Sequence, residues 1–379
     1  MKVLLLGNYV NDGQESMQRF AAFMACGLTQ AGHEVRLLRP PSIVGQLWPS
    51  GRRLGKWMGY VDKFGSFPVI LRSAVENVDL VHICDHANSF YTKYLKSVPH
   101  LVTCHDLLAI RSALREIPEN QTGWTGRQLQ RLILKGLTAA QHVVCVSEAT
   151  RRDLLRITNI PEDRVSRTYN SLIYPYSRME EHEAAARVRE LRIDATQPFF
   201  LHVGGNQWYK NRLGVLRIFS AFRRLTLGRT FTLVMVGKPW TAEMRRFVLQ
   251  HEMSDVTTEL SGVANEDLRA LYSTATMMLF PSLQEGFGWP IVEAQACGCP
   301  VATSSRPPMD EVAGDAAIYI DPENPESAAA ALRNALDRVA DMREPCLLNA
   351  ARFRSGMIDR YLSVYKRVCN GRPALRWVN

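Results

Sequence analysis

Two glutamates with seven residues between them, Glu285 and Glu293, bracket a bend of small residues in PSLQEGFGWPIVEAQACGCPVATSS (281–305). Gly286 and Gly288 have no side chain, so backbone there can approach a ligand closely. Pro290 suits the first turn of a helix, where its missing N–H costs nothing. IVEAQAC continues that helix and Gly298 stops it. Glu285 is therefore expected on a loop at the carboxyl end of a strand, and Glu293 about one turn into the next helix. First-turn amides and the positive end of the helix dipole point into the same space, which makes an anion site. The two carboxylates would repel a phosphate but suit hydroxyl-rich groups on either side of it: a sugar on one flank, a ribose on the other.

A second cluster, LHVGGNQWYKNR (201–212), runs from a strand through Gly204 and Gly205 to Lys210, before a helix starting near Asn211. A lysine at the carboxyl end of a parallel strand can face a phosphate as a point charge. The Gly-Lys-Ser/Thr ending of a P-loop is absent. In the first half, GNYVNDGQESM (7–17) is a glycine-flanked turn without the GxGxxG fingerprint, which disfavours a dinucleotide-binding dehydrogenase. TCHDLLAIR (103–111) puts His105 and Asp106 at another strand end, with a core histidine as the alternative for His105. Ser147 in VSEAT (146–150) is fully explained as a helix N-cap. No Asp-x-Asp pair occurs. The eight cysteines lack paired metal spacing and read as reduced core thiols of a cytosolic protein.

Strand-like runs alternating with helical stretches must position these groups. The first series is 2–8, 34–40, 79–85, 100–106, 142–147 and 164–170. The second is 198–205, 230–238, 257–262, 277–282, 300–305 and 317–321. Their near-continuous apolar character predicts parallel sheets covered on both faces. Two doubly wound α/β domains follow, with ligands expected beyond the carboxyl ends of strands and in a cleft between the domains. The predicted first domain is 1–180 and the second 190–355, joined through the charged, apolar-poor stretch 177–197, a linker or a linking helix. A helix from Met17 to about Ala31 should end at Gly32. Over 350–368, Phe353, Met357, Tyr361 and Tyr365 recur every four residues and predict an amphipathic helix.

Composition sets bounds. No run approaches the ~18 apolar residues of a membrane span, and the N-terminus is too quickly polar for a signal peptide. The net charge of +9 is uneven: 21 basic against 14 acidic residues in 1–175, a net of +7, leaving +2 for the rest. A basic first half could face a membrane surface or phosphorylated small molecules. Nucleic acid is disfavoured, since no recognition motif and no dense basic stripe is present. QLWPSGRRLGKWMGYVDKF (46–64) mixes Trp48 and Trp57 with Arg52, Arg53 and Lys56. It reads either as a membrane-facing patch or, through Trp57, Tyr60 and Phe64 at near-helical spacing, as core packing.

The 281–305 stretch resembles the nucleotide-sugar motif of the retaining glycosyltransferases of family 4, which have the GT-B fold. HVGGNQWYKN is similar to that family's diphosphate-lysine segment, LSGVANEDLRALYSTA to the stretch before the glutamates, and VTCHDLLAIR to its first-domain histidine loop. MDEVAGDAAIYIDPENPE resembles what usually follows, so the resemblance covers most of the chain. It implies two Rossmann-like domains facing each other across a cleft, with the C-terminal segment 356–379 crossing back to the first.

The resemblance also implies roles. Glu285 would accept from donor-sugar hydroxyls, with Gly286 and the Phe287 and Gly288 amides nearby, and Glu293 from the ribose. Lys210, beside Gly204 and Gly205, would neutralise the diphosphate. His105 would contact the transferred sugar, Gly13 would approach the phosphates or acceptor, and the Val263 backbone would lie near the base. The family often has a basic residue before the lysine; here it is Tyr209, and Arg212 is the candidate substitute. The expected reaction is metal-independent, configuration-retaining transfer of a hexose from a UDP- or GDP-sugar, with no cofactor. A lipid-linked saccharide is the preferred acceptor and a soluble one the alternative. A cytoplasmic protein, peripheral at the membrane through its basic first domain, is expected.

Overall fold

The structure, a computed structural model, describes residues 1–43, 58–226 and 231–371. The chain forms two compact units, Met1–Tyr169 together with the segment that begins at Gly356, and Asn170–Ser355.

In the first unit, β1 (Lys2–Leu6), β2 (Glu34–Leu38), β3 (Leu80–Ile83), β4 (His100–Cys104), β5 (His142–Cys145) and β6 (Val165–Arg167) form one sheet. Its order is β2-β1-β3-β4-β5-β6, with every pairing parallel. All residues of β3, β4 and β5 are buried, as strands covered on both faces must be. The Glu15–Gln30 helix follows β1 and ends where Gly32 takes a φ of +81°, a left-handed conformation that a glycine adopts without strain.

In the second unit, β7 (Phe199–Gly204), β8 (Thr232–Gly237), β9 (Thr257–Leu260), β10 (Met277–Phe280), β11 (Val301–Ser304) and β12 (Ala317–Ile320) form the other sheet. Its order is β12-β11-β10-β7-β8-β9, again parallel throughout. Phe200, Phe219, Phe222 and Leu279 are fully buried in its core. Each of the twelve predicted runs contains a strand, shorter than the run by one to four residues in all.

Two expectations change, and a third is met in its core-packing form where the residues are described. The 177–197 stretch contains a helix, Glu181–Glu190, that belongs to the second unit. Its Ala184 and Val188 are buried and its Arg187 pairs with Asp267 at 3.2 Å, so the helix packs within the second unit while Glu181, Glu183, Arg189 and Glu190 stay exposed. Phe353 is not on the C-terminal helix. One helix spans Arg343–Ala351 and another Met357–Asn370, because Gly356 has a φ of +84° and breaks the four-residue rhythm. Of the 46–64 patch, Trp48, Arg52, Arg53, Lys56 and Trp57 lie outside the described residues. Phe64 stacks on Phe90 with ring centroids 4.6 Å apart, which is core packing.

The Met357–Asn370 helix is anchored within the first unit by polar contacts as well as apolar ones. His82, on β3, lies 2.7 Å from the Tyr365 hydroxyl through Nδ1 and 2.7 Å from Thr103 Oγ1 through Nε2. Thr103 in turn bonds the Tyr361 hydroxyl at 2.8 Å. Gly27 admits the helix: a Cβ there would fall 2.6 Å from Ile358 Cδ1.

Candidate functional site

Reading outward from β7, the second sheet runs to β8 and β9 on one side and to β10, β11 and β12 on the other. The chain order reverses between β7 and β10, and in open parallel sheets ligands collect beyond the carboxyl ends at such a reversal. The loops leaving these two strands carry the candidate residues. β7 ends at Gly204 and leads to a 3-10 turn, Trp208–Lys210. β10 ends at Phe280 and leads through Glu285 to the Trp289–Ala296 helix.

Lys210 Nζ donates to Glu285 Oε1 at 2.7 Å, although the residues are 75 apart in sequence. The two side chains are only 15% and 7% exposed. The ammonium also lies 5.2 Å from the ring centre of Phe280 and 5.6 Å from that of Tyr209, within the range of cation–π attraction. Two contacts fasten the loops to each other. Leu283 N–H donates to the Tyr209 carbonyl at 2.8 Å. Asn211 Nδ2 donates to the carbonyls of Pro281 at 3.1 Å and Pro322 at 2.9 Å. The glycines at the strand ends are sterically required: a Cβ on Gly237, whose φ is +147°, would lie 1.9 Å from the Gly204 carbonyl oxygen.

Gly288, with φ at +96°, turns the chain into the Trp289–Ala296 helix, and Pro290 occupies its first turn. Glu293 lies on this helix. Tyr272, on the Asn265–Thr274 helix, donates its hydroxyl to Glu293 Oε2 at 3.1 Å. Burial and the nearby Glu293 charge push the Tyr272 pKa far up, so the hydroxyl keeps its proton. Phe287 is buried against Phe353 and Trp289. Val263 follows β9 in a loop where Gly262 has a φ of +70°. A Cβ on Gly205 would meet Gln207 Oε1 at 2.5 Å.

Arg212 differs from its expected place beside Lys210. It opens the Arg212–Leu225 helix, is 4% exposed, and its Nη1 donates to Asn206 Oδ1 and to the Lys238 carbonyl. It thus braces the loops after β7 and β8. Burial lowers its pKa.

In the first unit the chain order reverses between β1 and β3. Gly13, with φ at +65°, closes the turn after β1. His105 follows β4, is 5% exposed, and lies against Phe20 in an edge contact of 4.7 Å. Its Nε2 is 2.9 Å from the Cys84 carbonyl, which makes that nitrogen the protonated one. Burial lowers the His105 pKa, and Asp85 partly opposes this.

Sequence reasoning missed the group around it. Asn8 Nδ2 donates to Asp85 Oδ2 at 2.5 Å, Asn88 donates to Asn8 Oδ1 at 3.2 Å, and His86 Nδ1 lies 3.1 Å from Asp85 Oδ1. The signal was the polar run after β3, Asp85-His86-Ala87-Asn88, at a strand's carboxyl end. Asn211 and Tyr272 were missed too, for want of any distinctive local pattern. Among the described residues, no group of three or more His, Cys, Asp or Glu is gathered to hold a metal ion, and no helix is long and apolar enough to cross a membrane.

Residues 185–351 match the family profile described as Glycosyl transferases group 1, and residues 17–172 that described as Glycosyltransferase Family 4. O-antigen chain mannosyltransferase B of Escherichia coli is 27% identical over 258 residues, 66% of this chain and 64% of that protein. O-antigen chain mannosyltransferase RfbU of Salmonella typhimurium is 27% identical over 206 residues, 54% of each. The match spans less than two thirds of either relative. Among solved structures, Anabaena HepE in complex with UDP and glucose has a TM-score of 0.75 at 14% identity, covering 97% of this chain and 100% of that one. WaaG, a glycosyltransferase involved in lipopolysaccharide biosynthesis, has a TM-score of 0.70 at 16% identity, covering 98% and 100%. At these identities the likeness concerns the fold.

Proposed function

Since the chain belongs to the family 4 glycosyltransferases and has their GT-B fold, we propose that it moves a hexosyl group from a nucleoside-diphosphate sugar to a saccharide acceptor. The observation that carries this reading is the Lys210–Glu285 pair at the order reversal of the second sheet. It sets a cation for a diphosphate directly beside a carboxylate for sugar hydroxyls.

In this reading Lys210 opposes the negative charge that grows on the departing diphosphate. The first-turn amides of the Trp289–Ala296 helix add to the same positive field. Glu285 accepts hydrogen bonds from the hydroxyls of the transferred sugar. Glu293, oriented by Tyr272, accepts from the ribose. With that field supplied by protein groups, transfer is metal-independent. The bond from the anomeric carbon to the phosphate oxygen breaks and its electron pair stays on the phosphate. The acceptor oxygen bonds to the same face of the sugar, and its proton passes to a leaving-phosphate oxygen, so configuration is retained.

The names of the two relatives, both O-antigen chain mannosyltransferases, support mannose as the sugar and a saccharide chain as the acceptor; we propose further that this chain is carried on a lipid. Such an acceptor would bring the chain to the inner face of a membrane. We assign acceptor recognition to the first unit. The test is calorimetric titration with UDP, GDP and ADP, with and without EDTA. One nucleotide should bind clearly and EDTA should not change it. Binding by none of them, or binding abolished by EDTA, would overturn the reading.

A further inference from the structure

Lys210 and Glu285 hold each other at 2.7 Å with little exposure, so in this conformation their charges cancel. Under the proposed function the two groups have separate tasks, the lysine on the diphosphate and the glutamate on the sugar. A ligand that draws Lys210 away and offers nothing to Glu285 leaves a buried carboxylate without its cation, and an uncompensated buried charge is strongly unfavourable. We infer that the pair is a latch by which the site discriminates a sugar-bearing nucleotide from the free nucleoside diphosphate. The inference rests on the proposed function, because it needs the two groups to face different parts of one donor.

A nucleotide sugar satisfies both partners at once: its phosphates take Lys210 and its hydroxyls donate to Glu285. A free nucleoside diphosphate satisfies only the lysine, and Glu285 competes with it. After transfer, Glu285 closes again on Lys210, which favours release of the nucleotide product. The surroundings keep the partners within reach. The rings of Phe280 and Tyr209 flank the ammonium, and the Leu283–Tyr209 backbone bond ties the two loops together. Among the described residues, Glu285 makes its ion pair with Lys210, and the residue before that lysine is Tyr209.

The test compares GDP, UDP, GDP-mannose and UDP-glucose by calorimetry on the wild type, Glu285→Gln and, as a control, Glu293→Gln. In the wild type the nucleotide sugar should bind more tightly than its nucleoside diphosphate. In Glu285→Gln, with Lys210 released, the nucleoside diphosphate should gain about tenfold in affinity, while the nucleotide sugar gains nothing. Glu293→Gln removes an equal charge from the group that accepts from the Tyr272 hydroxyl and, in this reading, holds the ribose, so it should lower nucleoside diphosphate affinity rather than raise it. A second measurement needs no variant: saturating mannose or glucose should tighten GDP or UDP binding to the wild type, because sugar hydroxyls relieve Glu285. Unchanged or weaker nucleoside diphosphate binding in a folded Glu285→Gln would overturn the latch and leave the proposed function standing. So would an equal gain in both variants, or no effect of either monosaccharide. Failure of the wild type to bind any of the four nucleotides would overturn both.

Discussion

The Tyr272 hydroxyl donates to Glu293 Oε2 at 3.1 Å, and this bond joins the helix that enters β10 to the helix that leaves its loop. Tyr272 is fully buried and its hydroxyl is pushed far above the ordinary phenol range. It is therefore a fixed donor that selects one orientation of the second carboxylate. Tyr272→Phe keeps the ring and removes only the donor. A hydrogen bond to a charged group contributes about 1.5–3 kcal/mol, so GDP or UDP affinity should fall roughly tenfold or more if Glu293 holds the ribose. Inorganic pyrophosphate, which has no ribose, should bind the variant as it binds the wild type. An equal loss for both ligands would place Tyr272 in the general packing of the unit rather than behind the ribose.

Lys210→Ala should weaken nucleotide binding and slow transfer by about 10²-fold or more, the scale lost when a preorganised group facing developing charge is removed. Tyr209→Arg tests the same charge from the other direction. Tyr209 lies with its ring centre 5.6 Å from Lys210 Nζ, so an arginine there can place a second cation next to the first. The expected result is a higher kcat with the fold unchanged. An unaltered kcat would mean that leaving-group charge does not limit turnover.

Stability should fall on acidification because several histidines are buried in the neutral form. Burial lowers His82 from 6.5 to about 3 and His202 to about 3, and burial with nearby arginines lowers His142 to about 4. The unfolded chain takes up these protons first, so the contribution is complete above about pH 6.5 and is lost as pH falls toward 4 and below. His86 works the other way: Asp85 raises its pKa despite its burial, so its contribution fades as pH rises. His33, His100 and His105 are lowered by burial as well, so six histidines against one predict a falling thermal midpoint between pH 6.5 and 4. His82→Gln should flatten that fall, at some loss of midpoint at neutral pH. A midpoint constant across this range would contradict the assignment.

The fold was legible because strands buried on both faces are written as continuous apolar runs, such as MMLF in β10 and HVVC in β5. Glu285 stood out as a carboxylate on a loop at a strand's carboxyl end and Glu293 as one inside an apolar helix, while Lys210 read as a lysine well placed at the end of a parallel strand. Their meeting did not. Lys210 and Glu285 touch only because β7 and β10 are neighbours, and alternation of strands and helices does not tell which strands are adjacent. The same holds for Asn8 and Asp85, brought together across β1 and β3. Spacing misled at Phe353, where four-residue periodicity continued across a glycine that ends the helical path. At 177–197 the helix was one of the two readings, but charge alone did not show that it packs within the second unit, where Arg187 meets Asp267 from 80 residues away.

Asn211 combines two features that make it a sharp test of loop positioning. Its φ is +51°, a strained conformation for a residue with a side chain, and its amide holds both Pro281 and Pro322 carbonyls. Asn211→Gly relieves the strain and removes both bonds, so these effects on stability partly cancel while the Lys210 loop loses its tie to the Glu285 loop. The expected outcome is a small change in melting temperature with a roughly tenfold drop in kcat/KM, about 1.4 kcal/mol. Gly214→Ala reaches the same place from the neighbouring turn: a Cβ there would lie 2.2 Å from Asn211 Oδ1 and must displace the amide. Alanine is the better helix former by about 1 kcal/mol, so this change in isolation would strengthen the helix. Loss of activity in both variants, with crystal structures placing Lys210 and Glu285 farther apart than 2.7 Å, would establish Asn211 as the residue that sets their distance. Full activity in Asn211→Gly would assign that task to the Leu283–Tyr209 backbone bond instead.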